Sequence, residues 1–167
     1  MANSDRYVVR RRTRDAAIAQ CDRLRTSYRD AVIVAGPRHD NASQVVVWSE
    51  TAEQVERWAT WFDERVTWVA TTIDAPDLFI GEALMWPADH VHLLVVDPTF
   101  HRRGVGRARL AAVEPHARQA GITALTADCS LHSHPVFAAC GYNVVEWEDS
   151  AHRGEVFRRA KMRKVLA

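Results

Sequence analysis

The chain has 167 residues, of which 47% are hydrophobic and 26% are charged. This length suits one domain with a full core, and this composition is that of a globular protein. Lys and Arg total 22 against 21 for Asp and Glu, and the resulting net charge of +1 argues against a dedicated nucleic-acid binder. We therefore interpret residues 1–167 as a single globular domain.

The cysteines and the start of the chain indicate a reducing compartment. Cys21, Cys129 and Cys140 are odd in number, far apart and in no metal-ligand spacing, so we expect neither a disulfide framework nor a metal site. The first residues contain no apolar run of signal-peptide length, and no segment approaches the about 18 consecutive apolar residues of a membrane span. The expectation is a cytoplasmic protein with no membrane attachment and no bound metal.

A strand and then a helix are predicted at the start of the chain. Residues 7–11 are typical of a strand, and Thr13 is a suitable N-cap for the helix that follows. Residues 30–48 stay open, because two valine-rich runs favour strands, at 32–35 and 45–48, whereas glycine, proline and asparagine between them break the chain. The first helix has an apolar face at helical spacing, made of Ala17, Cys21, Leu24 and Tyr28.

A second helix and a hairpin are predicted next. Thr51 and Gln54 have the spacing of a capping box, and apolar side chains stripe the helix after them. Residues 66–73 and 78–85 have the composition of two hairpin strands, turned at residues 74–77.

The second half of the chain alternates between strands and helices. Residues 91–96 are almost continuously apolar, which is typical of a central strand covered on both faces. A helical pattern then runs to Gly121, which stands where a left-handed residue ends a helix. Residues 122–128 predict another strand. The last predicted elements are a short helix and two strands, at 134–140, 142–147 and 155–165.

The most informative segment joins the apolar strand to the long helix. It reads Asp-Pro-Thr-Phe-His-Arg-Arg-Gly-Val-Gly-Arg-Ala over residues 97–108. Gly104 and Gly106 let the backbone approach a ligand, and the free N–H groups of the first helical turn favour an anion. We therefore expect a ligand that carries phosphate or pyrophosphate. Four arginines add attraction for it: Arg102, Arg103, Arg107 and Arg109.

This loop resembles the acetyl-CoA loop of the GNAT superfamily of N-acetyltransferases, which reads [Q/R]-x-x-G-x-[G/A] after a strand ending in V-x-P. In the preferred alignment the motif covers residues 101–106, with His101 in the Gln/Arg position. In a second alignment the motif covers residues 103–108 and every motif residue matches, but it begins two residues farther along the chain than is usual in the family. A dinucleotide fingerprint does not fit, because Arg109 stands where the third glycine belongs. Three further segments resemble the family, at residues 49–58, 130–142 and 153–166. With the loop, the similarity spans about residues 45–166.

The resemblance implies an α/β (α+β) GNAT fold, with a mixed, mostly antiparallel sheet of about seven strands flanked by about four helices. The sheet would splay between its fourth and fifth strands, and the pantetheine arm of acetyl-CoA would enter that gap. Backbone N–H groups of residues 103–107 would hold the pyrophosphate, and the main chain of residues 95–97 would pair with pantetheine. The cofactor-binding residues that the resemblance implies are Val95, Val96, Asp97, His101, Arg102, Arg103, Gly104, Val105, Gly106, Arg107, Ser130 and Phe137.

For the catalytic base, His92 is the first choice and Glu82 the second. The resemblance implies a polar residue in the fourth strand that faces the acceptor, and an unperturbed histidine pKa of about 6.5 suits the deprotonation of an ammonium. His90 shares the face of His92 by the alternation of a strand. Phe137 stands where many GNAT enzymes have a tyrosine acid. The identity of the proton donor therefore stays open, among Tyr142, Cys140 and a thiolate that leaves without a positioned acid.

The implied activity is acetyl transfer from acetyl-CoA to a primary amine of a small molecule, a metabolite or an antibiotic, by direct attack in a ternary complex. Two alternatives stay open: acetylation of a protein or aminoacyl-tRNA amine, and a GNAT module that binds acyl-CoA without catalysis. His101 and Phe137 keep the last one open, because they replace the usual residues. Trp58 and Trp61 lie near the helix that lines the acceptor side in the family, which makes an aromatic acceptor wall a further hypothesis. The expected partners are acetyl-CoA, a small amine and a second copy of the chain, since homodimers are common in the family.

Overall fold

The computed structural model describes residues 7–76 and 78–166, and within them seven strands form one sheet in the order β1-β2-β3-β4-β5-β7-β6. All neighbouring strands are antiparallel except β4 and β5, which are parallel. The mixed, mostly antiparallel sheet predicted from the family resemblance is confirmed. Of the predicted turn at 74–77, Asp77 lies outside the described residues. The strands are β1 Tyr7–Arg12, β2 Val66–Thr72, β3 Phe79–Met85, β4 His90–Val96, β5 Ala124–Ser130, β6 Asn143–His152 and β7 Glu155–Val165.

Helices cover both faces of this sheet. The helices before β2 pack on one face around Leu24, Trp58 and Phe62, all 0% exposed. The helices after β4 pack on the other face, where Leu110 and Val113 are also 0% exposed. Burial of such side chains stabilises the fold by about 1.5–3 kcal/mol each. The helices are α1 Arg14–Ala19, α2 Cys21–Ala35, α3 Ala42–Ser49, α4 Val55–Glu64, α5 Val105–Gln119 and α6 His134–Ala139.

The described residues form six α-helices, two more than expected, because the first predicted helix is divided at Gln20 into α1 and α2 and the ambiguous segment contributes α3. The valine-rich runs that favoured strands lie at the end of α2 and inside α3. Asn41 starts α3 with a capping box: its Oδ1 accepts a hydrogen bond from the N–H of Gln44 at 2.9 Å, and Gln44 Oε1 accepts one from the N–H of Asn41 at 2.7 Å. This capping box fixes where α3 begins.

The predicted capping box at Thr51 and Gln54 is wrong. Thr51 is buried in a 3-10 turn, Glu50–Glu53, and its carbonyl accepts a hydrogen bond from Trp58 Nε1 at 2.8 Å. Gln54 is itself the N-cap of α4 and makes no side-chain capping bond within the described structure. Two other predicted helix ends are confirmed: Thr13 Oγ1 caps α1, and Gly121 follows the last turn of α5 with φ +75°.

Candidate active site

β4 and β5 separate after the first two residues of β4. The two strands pair only at His90 with Thr126 and at Val91 with Ala127, although β4 continues to Val96 on its β3 side. The rest of the β5-facing edge of β4 therefore presents backbone N–H and C=O groups to a gap. This is the splay that the resemblance implies.

A β-bulge lies at the mouth of the gap. The register of β4 on β3 shifts between Leu84 and Met85, so that His92 is the extra residue opposite them. A bulge disrupts the strand ladder locally and redirects a side chain. The imidazole of His92 meets the indole of Trp61 on α4 edge to face, with ring centroids 5.0 Å apart. The bulge thus places a titratable side chain beside the open strand edge.

The connection from β4 to α5 forms an anion cradle at the far end of the gap. Asp97 Oδ1 accepts hydrogen bonds from the N–H and the hydroxyl of Thr99, at 2.8 and 2.6 Å, which hold the 3-10 turn Pro98–Phe100. Arg102 has φ +63° and Gly104 has φ +81°, so the chain passes twice through the left-handed region before α5 begins. Gly104 is the N-cap, and within the described residues no side chain caps the helix. The first N–H groups of α5 therefore remain available to an anion.

The predicted phosphate-binding arginines separate into two groups. Arg109 is 0% exposed, because it lies on the inward face of α5, and its guanidinium packs over Gly81 of β3. A Cβ at Gly81 would lie 1.8 Å from Arg109 Nη1, so the glycine makes room for the arginine. The prediction that Arg109 contacts phosphate is therefore wrong. The other three arginines are exposed around the anion cradle: Arg102, Arg103 and Arg107.

Three other predicted cofactor residues occupy different environments. His101 folds back onto β4, with Nε2 3.0 Å from the carbonyl oxygen of Val96, so its side chain holds the loop instead of extending into solvent. Ser130 ends β5, and its hydroxyl accepts a hydrogen bond from the N–H of Ser133 at 3.3 Å. Phe137 is 3% exposed and packs edge to face against Tyr142. The expectation that the Phe137 side chain lines the cofactor site is corrected: the ring belongs to the core under α6.

The remaining predicted cofactor residues contribute main chain to the gap and to the anion cradle. The side chains of Val95 and Val105 are 6% and 1% exposed and belong to the core. Gly106 is also buried, and a Cβ there would lie 3.3 Å from Cγ2 of Val136, so the glycine lets α5 and α6 approach closely. Val96 and Asp97 complete the backbone path from the open strand edge to the anion cradle.

A groove of about 360 Å³ continues from the anion cradle along α5. It lies between α5, the end of α6 and the end of β7, and Arg107 belongs both to the groove and to the anion cradle. The ammonium of Lys164 pairs with the carboxylate of Glu114 inside it. The groove is lined by Arg107, Ala108, Ala111, Glu114, Ala139, Cys140 and Lys164.

Arginines and aromatic rings flank His92 on the opposite face of the sheet. Two guanidinium groups lie over the ring of Trp61, with Arg57 Cζ 4.9 Å and Arg65 Cζ 4.5 Å from its centroid. Arg65 also lies 5.0 Å from the ring of Trp86, an exposed residue between β3 and β4. Trp61, the ring that contacts His92, is 9% exposed, whereas Trp58 is 0% exposed and belongs wholly to the core.

The two histidines of β4 are held differently. His90 Nδ1 forms a hydrogen bond with Thr126 Oγ1 at 2.9 Å, and the His90 and His92 rings are 6.3 Å apart. Burial lowers the pKa of His92 to about 3, and the positive charges of Arg65, His90 and Arg57 contribute to this decrease. The imidazole of His92 is therefore neutral at pH 7 and available as a hydrogen-bond acceptor.

Glu82 lies on β3 with no solvent exposure. Within the described residues, neither carboxylate oxygen has a hydrogen-bond partner. Burial raises its pKa to about 8, and the positive charge of Arg109 limits this increase. Unlike the half-buried His92, Glu82 has no face open to solvent.

The sequence analysis missed Arg57 and Arg65. Arg57 and Trp61 lie four residues apart on one side of α4, and Arg65, four residues further on, is its C-cap. That spacing was a signal for a cationic surface beside the tryptophan. In the part of the chain described by the structure, no group of three or more His, Cys, Asp or Glu side chains is arranged to hold a metal ion.

The family model for the acetyltransferase (GNAT) domain matches residues 39–166. The chain belongs to the GNAT family of acetyltransferases. Among curated proteins, the uncharacterized N-acetyltransferase YafP of Escherichia coli strain K12 is 28% identical over 133 residues, which cover 80% of this chain and 81% of YafP.

Solved structures show the same fold. A GCN5-related N-acetyltransferase from Rhodopseudomonas palustris superposes with a TM-score of 0.86 at 22% identity and covers 95% of each chain. The PaiA N-acetyltransferase from Thermoplasma acidophilum, solved with coenzyme A, has a TM-score of 0.71 at 15% identity and covers 95% of this chain and 99% of its own. YncA from Salmonella typhimurium, solved with its cofactor acetyl-CoA, has a TM-score of 0.68 at 17% identity and covers 96% of this chain and 94% of its own.

Proposed function

We propose that this GNAT acetyltransferase transfers the acetyl group of acetyl-CoA to the primary amine of a small molecule. The observation that carries the proposal is the open edge of β4, followed through the 3-10 turn Pro98–Phe100 by the uncapped N-terminus of α5. Such an edge suits a chain that carries amide groups, and the helix N-terminus suits a pyrophosphate. Two structures of the same fold were solved with coenzyme A or acetyl-CoA, which supports this ligand.

The parts of acetyl-CoA suit successive parts of the site. The pantetheine amides would pair with the main chain of residues 95–97, and the pyrophosphate would meet the N–H groups of residues 103–107. The exposed arginines of the anion cradle would add charge-assisted contacts to its phosphates. The groove beside α5 would receive the adenosine end, since it begins at Arg107 and runs away from the anion cradle.

Acetyl transfer would then proceed by direct attack in a ternary complex. The neutral amine nitrogen bonds to the thioester carbonyl carbon, and a backbone N–H of the β4 edge near the bulge donates to the developing oxyanion. His92 accepts a hydrogen bond from the amine and so directs its lone pair at the carbonyl. The carbon–sulfur bond breaks, and the thiolate of CoA takes up the proton that the nitrogen gives up. A thiol pKa of about 8.5 allows this departure without a positioned acid.

Two glycine variants test the cofactor site. In Gly104→Glu, a side chain at φ +81° strains the anion cradle and places a carboxylate beside the expected pyrophosphate, so we expect acetyl-CoA affinity to fall by at least about 100-fold. Gly121→Glu is the matched control, because Gly121 has φ +75° at the other end of α5 and lies in open space. Calorimetric titration measures both affinities. Equal affinity in the two variants would contradict the proposed site.

A thiol-release assay with acetyl-CoA and a panel of amines separates the proposed activity from its alternatives. Amine-dependent release with small acceptors supports the proposal. Binding of acetyl-CoA without release in the panel favours a macromolecular acceptor or a non-catalytic acyl-CoA-binding module. Thiol release that requires a protein or an aminoacyl-tRNA establishes a macromolecular acceptor.

The proposal includes a cytoplasmic location and a homodimer. All three cysteines are unpaired thiols, as in a reducing compartment. In the described part of the chain, every helix is too short or too polar to cross a membrane. Cell fractionation tests the location, and light scattering of the purified protein tests the dimer.

A further inference from the structure

His101 lies between the two parts of the site that the cofactor would occupy. Before it, β4 ends at Val96 beside the gap, and after it Arg102, with φ +63°, leads into the anion cradle. The His101 side chain turns back toward the strand, where Nε2 lies 3.0 Å from the carbonyl oxygen of Val96. Because a carbonyl oxygen only accepts, Nε2 carries the proton and donates this hydrogen bond. One side chain thus connects the strand edge to the anion cradle.

The carbonyl of Val96 faces the gap. The N–H of Asp97 donates to a carbonyl oxygen of β3 at 2.9 Å, and the carbonyl oxygen of Val95 lies against the Cβ position of Gly81 on the same strand. Asp97 and Val95 therefore turn backbone groups toward β3. Since these groups alternate between the two edges of a strand, those of Val96 point to the opposite edge. Of residues 95–97, Val96 is therefore the one that offers its N–H and C=O groups to pantetheine.

The chain between the strand edge and the anion cradle is held by two kinds of hydrogen bond. Asp97 Oδ1 accepts from the N–H and the hydroxyl of Thr99, and the N–H of His101 donates to the carbonyl of Pro98 at 3.2 Å. These bonds shape the 3-10 turn itself. The bond from the His101 side chain instead closes the whole loop of residues 96–101 onto β4. The separation between the open edge and the anion cradle therefore depends on this closing bond.

This separation matters because the two ends of acetyl-CoA are joined covalently. Once one end is bound, the other end binds intramolecularly, at an effective concentration that falls when the geometry does not match. A carbonyl oxygen has two lone pairs, so Val96 can accept one hydrogen bond from His101 and another from a pantetheine amide. The bond from His101 is therefore compatible with a bound ligand.

We infer that His101 is a positioning residue of the cofactor site, whose bond to Val96 sets the distance between the strand edge that binds pantetheine and the anion cradle that binds pyrophosphate; the inference rests on the proposed function. His101 acts on how well the two parts of one ligand bind together, and not on either part alone. It stands where the family pattern has Gln or Arg. Both of those side chains also carry N–H donors, so the histidine keeps a donor at this position.

Substitutions at His101 separate the role of the donor from that of the ring. His101→Phe keeps a planar ring without a donor, His101→Leu removes ring and donor together, and His101→Gln keeps an N–H donor. His116→Phe is the matched control. His116 is also half-buried and forms a hydrogen bond with Arg11, but it lies in the last turn of α5, away from the anion cradle. Melting temperatures establish that each variant is folded.

Three ligands report on the two parts of the site. Acetyl-CoA would span both parts, S-acetylpantetheine would reach only the strand edge, and adenosine 3′,5′-bisphosphate would reach only the anion cradle and the groove beside α5. Calorimetric titration gives the affinity for acetyl-CoA. Protein-observed NMR titration gives the affinities for the two fragments, since it measures dissociation constants into the millimolar range.

In His101→Phe we expect the affinity for acetyl-CoA to fall at least about 5-fold while the affinity for each fragment stays within about 2-fold of wild type, because the coupling between the two parts is lost. His101→Gln should recover most of the affinity, and His116→Phe should behave as wild type. An unchanged or higher affinity for acetyl-CoA in His101→Phe and His101→Leu overturns the inference. An equal loss of affinity for adenosine 3′,5′-bisphosphate also overturns it, since His101 would then act on the phosphate subsite itself.

Failure of the proposed function looks different. A wild type that binds acetyl-CoA but releases no thiol with any acceptor contradicts the proposed acetyl transfer, and the comparison of the His101 variants still decides the positioning role. A wild type that does not bind acetyl-CoA overturns both the proposed function and the inference.

Discussion

Glu82 and His92 lie on neighbouring strands, and burial shifts their pKa values in opposite directions. It raises the pKa of the Glu82 carboxyl to about 8 and lowers the pKa of the His92 imidazole to about 3. In both cases the neutral form is favoured, because charge is costly away from water. The site is therefore built from neutral side chains near pH 7, with fixed positive charge supplied by arginines.

At Glu82 we expect a pH-dependent contribution to stability. Because the native pKa is about 8 and the ordinary value is 4.5, the native state holds a proton that the unfolded state has released between these pH values. The free energy of unfolding therefore falls as pH rises through this window, by on the order of a few kcal/mol at most. Glu82→Gln removes this dependence. Denaturant unfolding at about pH 5 and about pH 8 measures the difference from wild type.

The exposed Glu56 of α4 provides the control for that experiment. Glu56→Gln removes one carboxylate from the surface and should leave the pH dependence of unfolding as in wild type. Histidines also titrate in this range, but they are common to all three proteins and cancel in the comparison. A Glu82→Gln protein with the same pH dependence as wild type would show that Glu82 is ionised in the native state.

At His92 we expect no titration in the activity profile near neutral pH. An imidazole with a pKa of about 3 is neutral from about pH 5 to 9, so kcat/KM should rise with pH as the acceptor itself loses its proton. Profiles with two acceptors whose amine pKa values differ should show midpoints that differ by the same amount. A common midpoint near the ordinary histidine pKa would contradict this assignment. His92→Gln should reduce kcat by roughly 10-fold, below the ~10²–10⁴-fold of a pKa-matched base.

At the scale of elements, α5 combines three tasks in 15 residues. Its N-terminus presents free N–H groups, its inward face supplies Leu110 and Val113 to the core, and Arg109 carries a charge under β3. Gly104 and Gly106 serve the first task and the contact with α6. This sharing explains why the predicted role of Arg109 failed: the helical period turns it inward, away from the neighbouring arginines that remain exposed.

The sequence predicted correctly those structural features that a few adjacent residues determine. The glycine loop, the cap at Thr13 and the end of α5 at Gly121 depend on a few adjacent residues, and the structure has all three. The helical state of 32–35 and 45–48 depends instead on packing, since partly buried Val32 and Trp48 contact the core on the face covered by α1–α4. Burial of Glu82 and the stacking around Trp61 also need contacts between distant segments, which no local pattern specifies.

At the scale of the whole molecule, the gap divides the sheet into two halves. β1–β4 and β5–β7 share only the pairs at His90 and Val91, and α5 packs against strands on both sides of the division. A ligand that fills the gap and the anion cradle would contact both halves at once. Its binding energy would then add to the stability of the whole fold, because the unfolded chain has no such site.

Saturation with acetyl-CoA should therefore raise the melting temperature of the wild type. At a ligand concentration of about 100 times Kd the added stability is about 2.7 kcal/mol, and each kcal/mol raises Tm by about 2–4 °C for a chain of this size. The shift should be roughly 5–10 °C by scanning calorimetry and should fall to at most about 1–2 °C in Gly104→Glu, whose affinity is lower by at least about 100-fold. It should also shrink between about 50 mM and about 500 mM salt, since Arg102, Arg103 and Arg107 are exposed and their attraction for phosphate is screened. An equal shift in Gly104→Glu would place the ligand away from the anion cradle, and a shift insensitive to salt would remove the exposed arginines from its binding.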